Sequence, residues 1–313
     1  MPPEPGKDAS RMYAEPLISS LDESLSRLQA LNQALLREIT RALAWPPTWP
    51  TQVLGGLLFG RATRRFSEVV LGLDREVGQH GTAAGARWLL PHFVASHAAR
   101  GVGNIPREGP LLIVSNHPAS YDGMVITAHV ERPDFKIIIG EIPPYRYLPN
   151  ISRHAIFSPP VKNTFGRMQT VRNALQHLKA GGALLIFPRG GIEPDPAFMS
   201  DADAEFHRWS RSLEIFLQRV PQTRVLVTMV SGVIARAAMR HPITWFRQAR
   251  PDRQRLAFIF QILQQIVRGR ELFGLTPRVT FGEVLSSVNH QSVLSEVEHA
   301  ARRVLQRHMG SPD

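Results

Sequence analysis

The apolar residues of the first hundred positions follow a helical spacing. Between residues 17 and 43 they recur at steps of three and four, with charged residues between them. This pattern predicts one amphipathic helix, which ends before Pro46. Residues 49–100 carry further apolar positions among arginines and glycines, and we expect two or three more helices there. Residues 1–16 are rich in proline and charge without periodicity, which predicts a flexible tail.

Beyond residue 100 the pattern changes to short apolar runs that are bounded by turn residues. Runs of this length predict buried strands. They are Leu111–Val114, Lys136–Ile139, Ala183–Phe187, Arg224–Val230 and Arg278–Phe281.

Helical segments are predicted between several of these strands. They are Met168–Lys179, Ala204–Arg219 and Ser292–His308, whereas Leu256–Val267 fits either kind of element. Helices that alternate with strands predict an α/β fold with a mostly parallel central sheet flanked by helices. The chain then divides into the tail 1–16, an N-terminal helical region 17–100 and an α/β domain 101–313.

Composition adds a strong positive charge. The 313 residues include 37 Lys and Arg against 26 Asp and Glu, which gives a formal net charge of +11. Nearly all of the basic residues are arginine, which binds phosphate groups bidentately, so we expect anionic partners. Nucleic acid is not predicted as a partner, because the basic residues are spread along the chain and no zinc or RNA-recognition motif accompanies them.

The same composition excludes several kinds of chemistry. Cysteine is absent, which excludes a thiolate nucleophile and cysteine-ligated zinc. No apolar run reaches the roughly 18 residues of a membrane span, and the N-terminus lacks the order of a secretory signal, so we expect a cytoplasmic protein. The histidines show no metal-ligand spacing, and we predict no metal and no cofactor.

The most informative stretch is the sequence Ser115-Asn116-His117-Pro118-Ala119-Ser120-Tyr121-Asp122, which follows a predicted strand. Asp122 lies five residues after His117, across a predicted helix start, so its carboxylate can fold back to the imidazole. An aspartate on one ring nitrogen fixes the tautomer and leaves the other nitrogen free to take a proton from a hydroxyl. By itself this spacing is weak, since a histidine that only caps a helix or satisfies a core hydrogen bond would look the same.

A second segment makes the pattern specific. Gly181 and Gly182 lead into the strand Ala183–Phe187, and Pro188-Arg189-Gly190-Gly191 follows it. The carboxyl ends of two parallel strands would then face one crevice. Asn116-His117-x4-Asp122 followed by Phe187-Pro188-x-Gly190 resembles the glycerolipid (lysophospholipid) acyltransferase superfamily, and the likeness extends from about Gly101 to Glu283.

The resemblance implies transfer of a fatty acyl group to a hydroxyl of a lipid acceptor. The donor would be a thioester on coenzyme A or acyl carrier protein, used as a co-substrate. His117 would be the general base and Asp122 its orienting partner, and no enzyme-bound acyl intermediate would be needed. Backbone amides at Gly190 and Gly191 are the candidates for stabilising the oxyanion. The remaining residues expected to bind substrate are Asn116, Lys162, Arg167, Phe187, Pro188 and Arg189.

The chain also departs from the family pattern. The family usually has Phe-Pro-Glu-Gly-Thr-Arg, whereas here Arg189 replaces the glutamate and Glu193 is a shifted substitute. Proline stands near the place of the family's acceptor-binding arginine, with Lys162, Arg167 and Arg172 nearby. The exchange at position 189 predicts either a pocket for an anionic acceptor group or a pair between Arg189 and Glu193 or Asp195.

Two functions of different classes follow from these observations. The first is an acyltransferase bound peripherally to the anionic cytoplasmic leaflet through its arginine-rich N-terminal helices. The alternative is a family member that binds lipid or an acyl-carrying partner without turnover, which the altered blocks suggest and the retained His117 and Asp122 oppose. The sequence leaves the acceptor, the acyl chain length, the donor carrier and the oligomeric state open.

Overall fold

The computed structural model describes residues 9–160, 162–210, 212–285 and 293–310. It separates into two compact units, Met1–Leu71 and Gly72–Asp313. The boundary predicted at residue 100 therefore lies within the second unit. The first half of the predicted tail, 1–8, and the predicted helix start at Ser292 lie outside the described residues.

The first unit is helical. Helix α1 spans Ala9–Ala42, so it begins before the predicted start at Leu17 and includes the second half of the predicted tail. Helix α2 spans Trp49–Leu89 and continues into the second unit. Gly81, where φ is +84°, is not helical and divides α2 into two helical segments, in agreement with the two or three helices predicted. None of the helices in the described part of the chain combines the length and apolarity needed to cross a membrane.

The second unit contains a seven-stranded sheet in the order β1-β7-β6-β2-β5-β3-β4. Its strands are β1 Ala98–Arg100, β2 Leu111–Ser115, β3 Lys136–Gly140, β4 Ala155–Ser158, β5 Ala183–Ile186, β6 Arg224–Ser231 and β7 Arg278–Leu285. All neighbours pair in parallel except β6 and β7, which are antiparallel. The predicted mostly parallel α/β sheet is confirmed, and the short strands β1 and β4 are additional to the prediction.

Helices cover the sheet. They are α3 Asp122–Thr127, α4 Pro149–Arg153, α5 Thr164–Lys179, α6 Ser212–Arg219, α7 Arg236–Arg240, α8 Arg250–Arg268 and α9 Val293–Gly310. Side chains of β2, β5 and β6 pack against α5, α6 and α9 in one apolar cluster. The alternate residues of β2 and β5 are equally buried, which explains why these central strands are continuous apolar runs.

Two predicted helical segments have a different form in the structure. The segment predicted as one helix over Ala204–Arg219 is a 3-10 helix at Asp203–Arg208 followed by α6. Between them the Trp209 indole turns inward to Glu193. The ambiguous segment Leu256–Val267 lies within α8, whose inner face carries buried glutamines that bind backbone groups.

Candidate active site

His117 and Asp122 lie where β2 ends and α3 begins. The imidazole Nδ1 is 2.9 Å from one carboxylate oxygen of Asp122 and 3.1 Å from the other. The backbone N–H groups of Ala119 and Gly123 donate to the same carboxylate, at 3.1 and 2.7 Å. Because an ionised carboxylate only accepts, Nδ1 carries the proton and Nε2 is the basic nitrogen. The predicted fold-back of Asp122 onto His117 is confirmed.

The charges around His117 raise its pKa. Burial alone would lower the pKa of the imidazole, but the charge of Asp122, its hydrogen bond and the charge of Glu193 outweigh burial. The Phe187 ring lies against the imidazole, with ring centroids 4.5 Å apart. The imidazole of His117 is thus fixed in tautomer by Asp122 and held on one side by an aromatic ring.

Glu193 binds the His117 loop from the other side, through both of its carboxylate oxygens. One oxygen accepts the backbone N–H of His117 at 2.9 Å, and the other accepts the indole N–H of Trp209 at 3.0 Å. The Glu193 N–H in turn donates to the His117 carbonyl at 2.8 Å, and the Gln254 amide donates to the Glu193 carbonyl. The residue is only 1% exposed, and burial raises its pKa to about 7. From the sequence it was only a shifted substitute for the missing glutamate.

Asn116 anchors the loop through its buried side-chain amide, and its predicted contact with substrate stays a prediction. Its side-chain NH₂ donates to the Val230 carbonyl at 2.9 Å, and its oxygen accepts the Val230 N–H at 2.8 Å. The residue is 2% exposed. This reciprocal pair ties the end of β2 to β6, because a buried amide needs partners for its oxygen and its nitrogen.

The turn after β5 differs from its predicted use. The Gly190 N–H, a candidate for the oxyanion, donates to the Phe187 carbonyl at 3.0 Å and so closes the turn itself. Pro188 is buried, and its carbonyl accepts the Ser210 N–H. Gly191, the second candidate for the oxyanion, follows this turn and is half-buried.

Arg189 pairs with Glu205, and the predicted pair with Glu193 or Asp195 is wrong. Its Nε lies 2.8 Å from one Glu205 oxygen, and Arg250 of α8 reaches the other at 3.0 Å. Arg208 approaches at 3.5 Å. Burial would raise the pKa of Glu205, but the hydrogen bond from Arg189 and the three positive charges lower it. Three guanidinium groups around one carboxylate leave this cluster, Arg189–Glu205–Arg208–Arg250, with a net positive charge.

Asp195 organises the loop that follows β6. Its carboxylate accepts backbone N–H groups of Gly232, Val233 and Ile234, and also that of Ala197. These bonds fix the chain where β6 leaves the sheet beside β2. This role of Asp195 could not be predicted from local patterns, because all but one of its partners lie more than 35 positions away.

Lys162 and Arg167 are exposed at the start of α5. This helix follows β4, which is separated from β2 by β5 and β3. Three strand spacings amount to about 14 Å between β4 and β2. Their predicted contact with substrate stays a prediction.

No three His, Asp or Glu side chains in the described ranges are placed to hold a metal ion together. The predicted absence of a metal and a cofactor stays a prediction.

Comparisons with known proteins bear on the family. Among solved structures, 1-acyl-sn-glycerophosphate (LPA) acyltransferase PlsC from Thermotoga maritima is similar, with 14% identity over 93% of this chain and 99% of that one, at a TM-score of 0.45. None of the curated proteins matches significantly. Residues 98–241 match the Acyltransferase family, and this segment contains His117, Asp122 and Glu193. The match confirms, over residues 98–241, the resemblance to the glycerolipid acyltransferase superfamily that the motifs indicated.

Proposed function

We propose that the protein transfers a fatty acyl group from a thioester of coenzyme A or acyl carrier protein to a hydroxyl of a lysolipid, with His117 as general base. The observation that carries the proposal is the Nδ1–carboxylate contact of 2.9 Å between His117 and Asp122. It directs the basic Nε2 away from the buried aspartate, to where a substrate hydroxyl can reach it.

The reaction needs one proton carrier. Nε2 takes the proton of the acceptor hydroxyl as the oxygen attacks the thioester carbonyl carbon. The tetrahedral intermediate collapses with cleavage of the carbon–sulfur bond, and the His117 imidazolium gives its proton to the leaving thiolate, which restores the base. Asp122 stabilises the imidazolium between these steps. Direct attack of the hydroxyl is consistent with a chain that has no cysteine.

The acceptor carries an anionic group in this proposal. The Arg189–Glu205–Arg208–Arg250 cluster follows the same turn as Phe187, whose ring contacts His117. Its excess positive charge supports binding of a phosphate or carboxylate at the rim of the site. Glu205 holds the arginines in place. Arg250 also donates to the Ile192 carbonyl and to Gln254, so Arg189 and Arg208 are the residues that would meet such a ligand.

We further propose that the protein acts at the anionic surface of the cytoplasmic leaflet. Support comes from the first unit, where one stretch of α2 exposes large apolar side chains ahead of several arginines. These side chains are Trp49, Val53, Leu54, Leu57 and Leu58. Basic and apolar groups on one helix favour binding at a lipid interface.

The test is acyl transfer from radiolabelled palmitoyl-CoA or palmitoyl acyl carrier protein to a panel of lysolipids and amino-lipids. We compare the wild type with His117→Ala and with His299→Ala, which removes an exposed histidine of α9. A labelled product that is lost only in His117→Ala supports the proposal. Lipid binding without turnover across the panel would instead favour the binding protein described above.

A further inference from the structure

The segment between β6 and α8 combines basic charge with exposed aromatic rings. Residues 232–250 contain four arginines and no aspartate or glutamate. At its centre is the 3-10 helix Pro242–Phe246. Trp245 is 70% exposed and Phe246 is 85% exposed, and we call these two side chains the aromatic tip.

The aromatic tip is exposed on an ordered segment. Thr244 is fully buried, and its hydroxyl donates to the carbonyls of Met239 and His241 at 3.1 and 2.9 Å. The His241 ring stacks on Phe260 of α8, with centroids 3.9 Å apart. The segment thus buries a small hydroxyl and presents two large rings to solvent, the reverse of what packing alone favours.

The start of α8 connects the aromatic tip to the site. Four residues after Phe246, Arg250 binds Glu205 of the arginine cluster. One helical turn further, the Gln254 amide donates to the carbonyl of Pro118, the residue after His117. The tip and the base are therefore joined through the first turns of α8.

We propose that the aromatic tip, with Arg236, Arg240 and Arg247, inserts into the headgroup region of an anionic phospholipid bilayer and turns the His117 site toward it. Tryptophan is favoured at this depth, because its ring is apolar while its N–H binds polar groups. The arginines of the segment complement anionic headgroups, Arg240 with an exposed side chain and Arg236 while it donates to the Ala197 carbonyl, and no acidic residue in the segment opposes them. The inference rests on the proposed function only in taking the acceptor to be a membrane lipid.

The experiment measures binding of the full chain to vesicles of phosphatidylcholine with and without phosphatidylglycerol. We expect Trp245→Ser/Phe246→Ser to bind anionic vesicles at least about tenfold more weakly, since two apolar rings no longer leave water. Arg240→Gln should weaken binding about fivefold and should have no effect on neutral vesicles. Brominated lipid should quench wild-type fluorescence more than that of Trp245→Phe.

The matched control is Phe165→Ser/Met168→Ser, which removes an equally exposed apolar pair from α5. Equal loss of binding in the control, or unchanged binding and quenching in the tip variants, would overturn the proposal. The proposal would also be overturned if the wild type formed dimers and the tip variants did not, since a second copy of the chain would then cover the aromatic tip.

Activity on a detergent-dispersed acceptor separates this inference from the proposed function. Tip variants should keep that activity and lose it only on vesicle-bound acceptor. If the wild type transfers no acyl group in either form, the proposed function fails, whereas the binding and quenching measurements still decide the inference.

Discussion

Glu193→Gln tests how the His117 loop is held. Each oxygen of the wild-type carboxylate accepts one N–H group, from His117 and from Trp209, at 2.9 and 3.0 Å. Both oxygens of a carboxyl group carry lone pairs, in the protonated form as in the ionised one, whereas glutamine has one oxygen, so its NH₂ group must face the other donor. A buried N–H that loses its acceptor costs about 1–3 kcal/mol, and we expect a loss of this size in the free energy of unfolding at pH 5.

The loss should depend on pH because burial raises the Glu193 pKa to about 7, from an ordinary value of 4.5. Between these values the unfolded carboxyl ionises and the folded one stays protonated, so this group makes the wild type less stable as pH rises. A difference of 2.5 between the two pKa values corresponds to about 3 kcal/mol. Glutamine does not titrate, so the advantage of the wild type over Glu193→Gln should shrink by about that amount between pH 4.5 and pH 8.

Urea unfolding followed by circular dichroism across this pH range measures the difference, and effects of titrating groups distant from Glu193 cancel between the two proteins. The control is Glu283→Gln, which breaks an exposed pair with Arg307 and should cost under about 1 kcal/mol at every pH. If Glu193→Gln were as stable as the wild type at pH 5, the two N–H groups would not need two accepting oxygens, and that part of the reasoning would be refuted. A stability difference that stays constant with pH would refute the raised pKa.

Three further substitutions give sharp expectations. Wild-type kcat/KM should rise with pH through a midpoint above 6.5, because the pKa of His117, the proposed base, is raised. Asp122→Asn should lower kcat/KM by about 10³-fold or more, and it should also lower the pH of the midpoint. An unshifted pH–rate midpoint in that variant would contradict the assigned role of Asp122. Glu205→Gln leaves three arginines without their shared carboxylate, so its melting temperature should fall and salt should restore part of the loss. Gly190→Ala should lower the free energy of unfolding in urea by about 1–2 kcal/mol, because φ is +66° at this position. The added methyl group meets no atom within 4 Å, so the backbone conformation alone accounts for this cost.

The fold was predictable where one physical signal dominated. Central strands are buried on both faces, so β2, β5 and β6 stand out as apolar runs and their bounds agree closely with the structure. The edge strands β1 and β4 are three and four residues long and partly exposed, which leaves no such run. Helix α8 was ambiguous because its inner face carries polar residues. There Gln254, Gln261 and Gln265 are buried, and their side-chain amides donate hydrogen bonds to backbone carbonyls.

The site was predictable only where its contacts are local. The bond between His117 and Asp122 joins residues five positions apart, and the helix start between them fixes the geometry. The partner of Arg189 lies 16 positions away, and Arg250 is a further 45 positions along the chain. Charge patterns do not determine pairing over such separations, so the prediction assigned Arg189 to the nearest carboxylates in sequence. Both carboxylates, those of Glu193 and Asp195, are buried and accept backbone N–H groups instead.

The departures from the family pattern have a common explanation in the structure. With Arg189 in place of the usual glutamate, positive charge at the turn is directed outward to Glu205, and the carboxylate of Glu193 reaches the His117 backbone from four positions later. The base therefore keeps a neighbouring negative charge, and the exchange alters the rim of the site more than the base itself. Under the proposed mechanism this favours turnover over binding alone, because the contact between His117 and Asp122 is present. It also predicts that changes at Arg189 act first on acceptor KM, whereas changes at Glu193 act on stability and kcat.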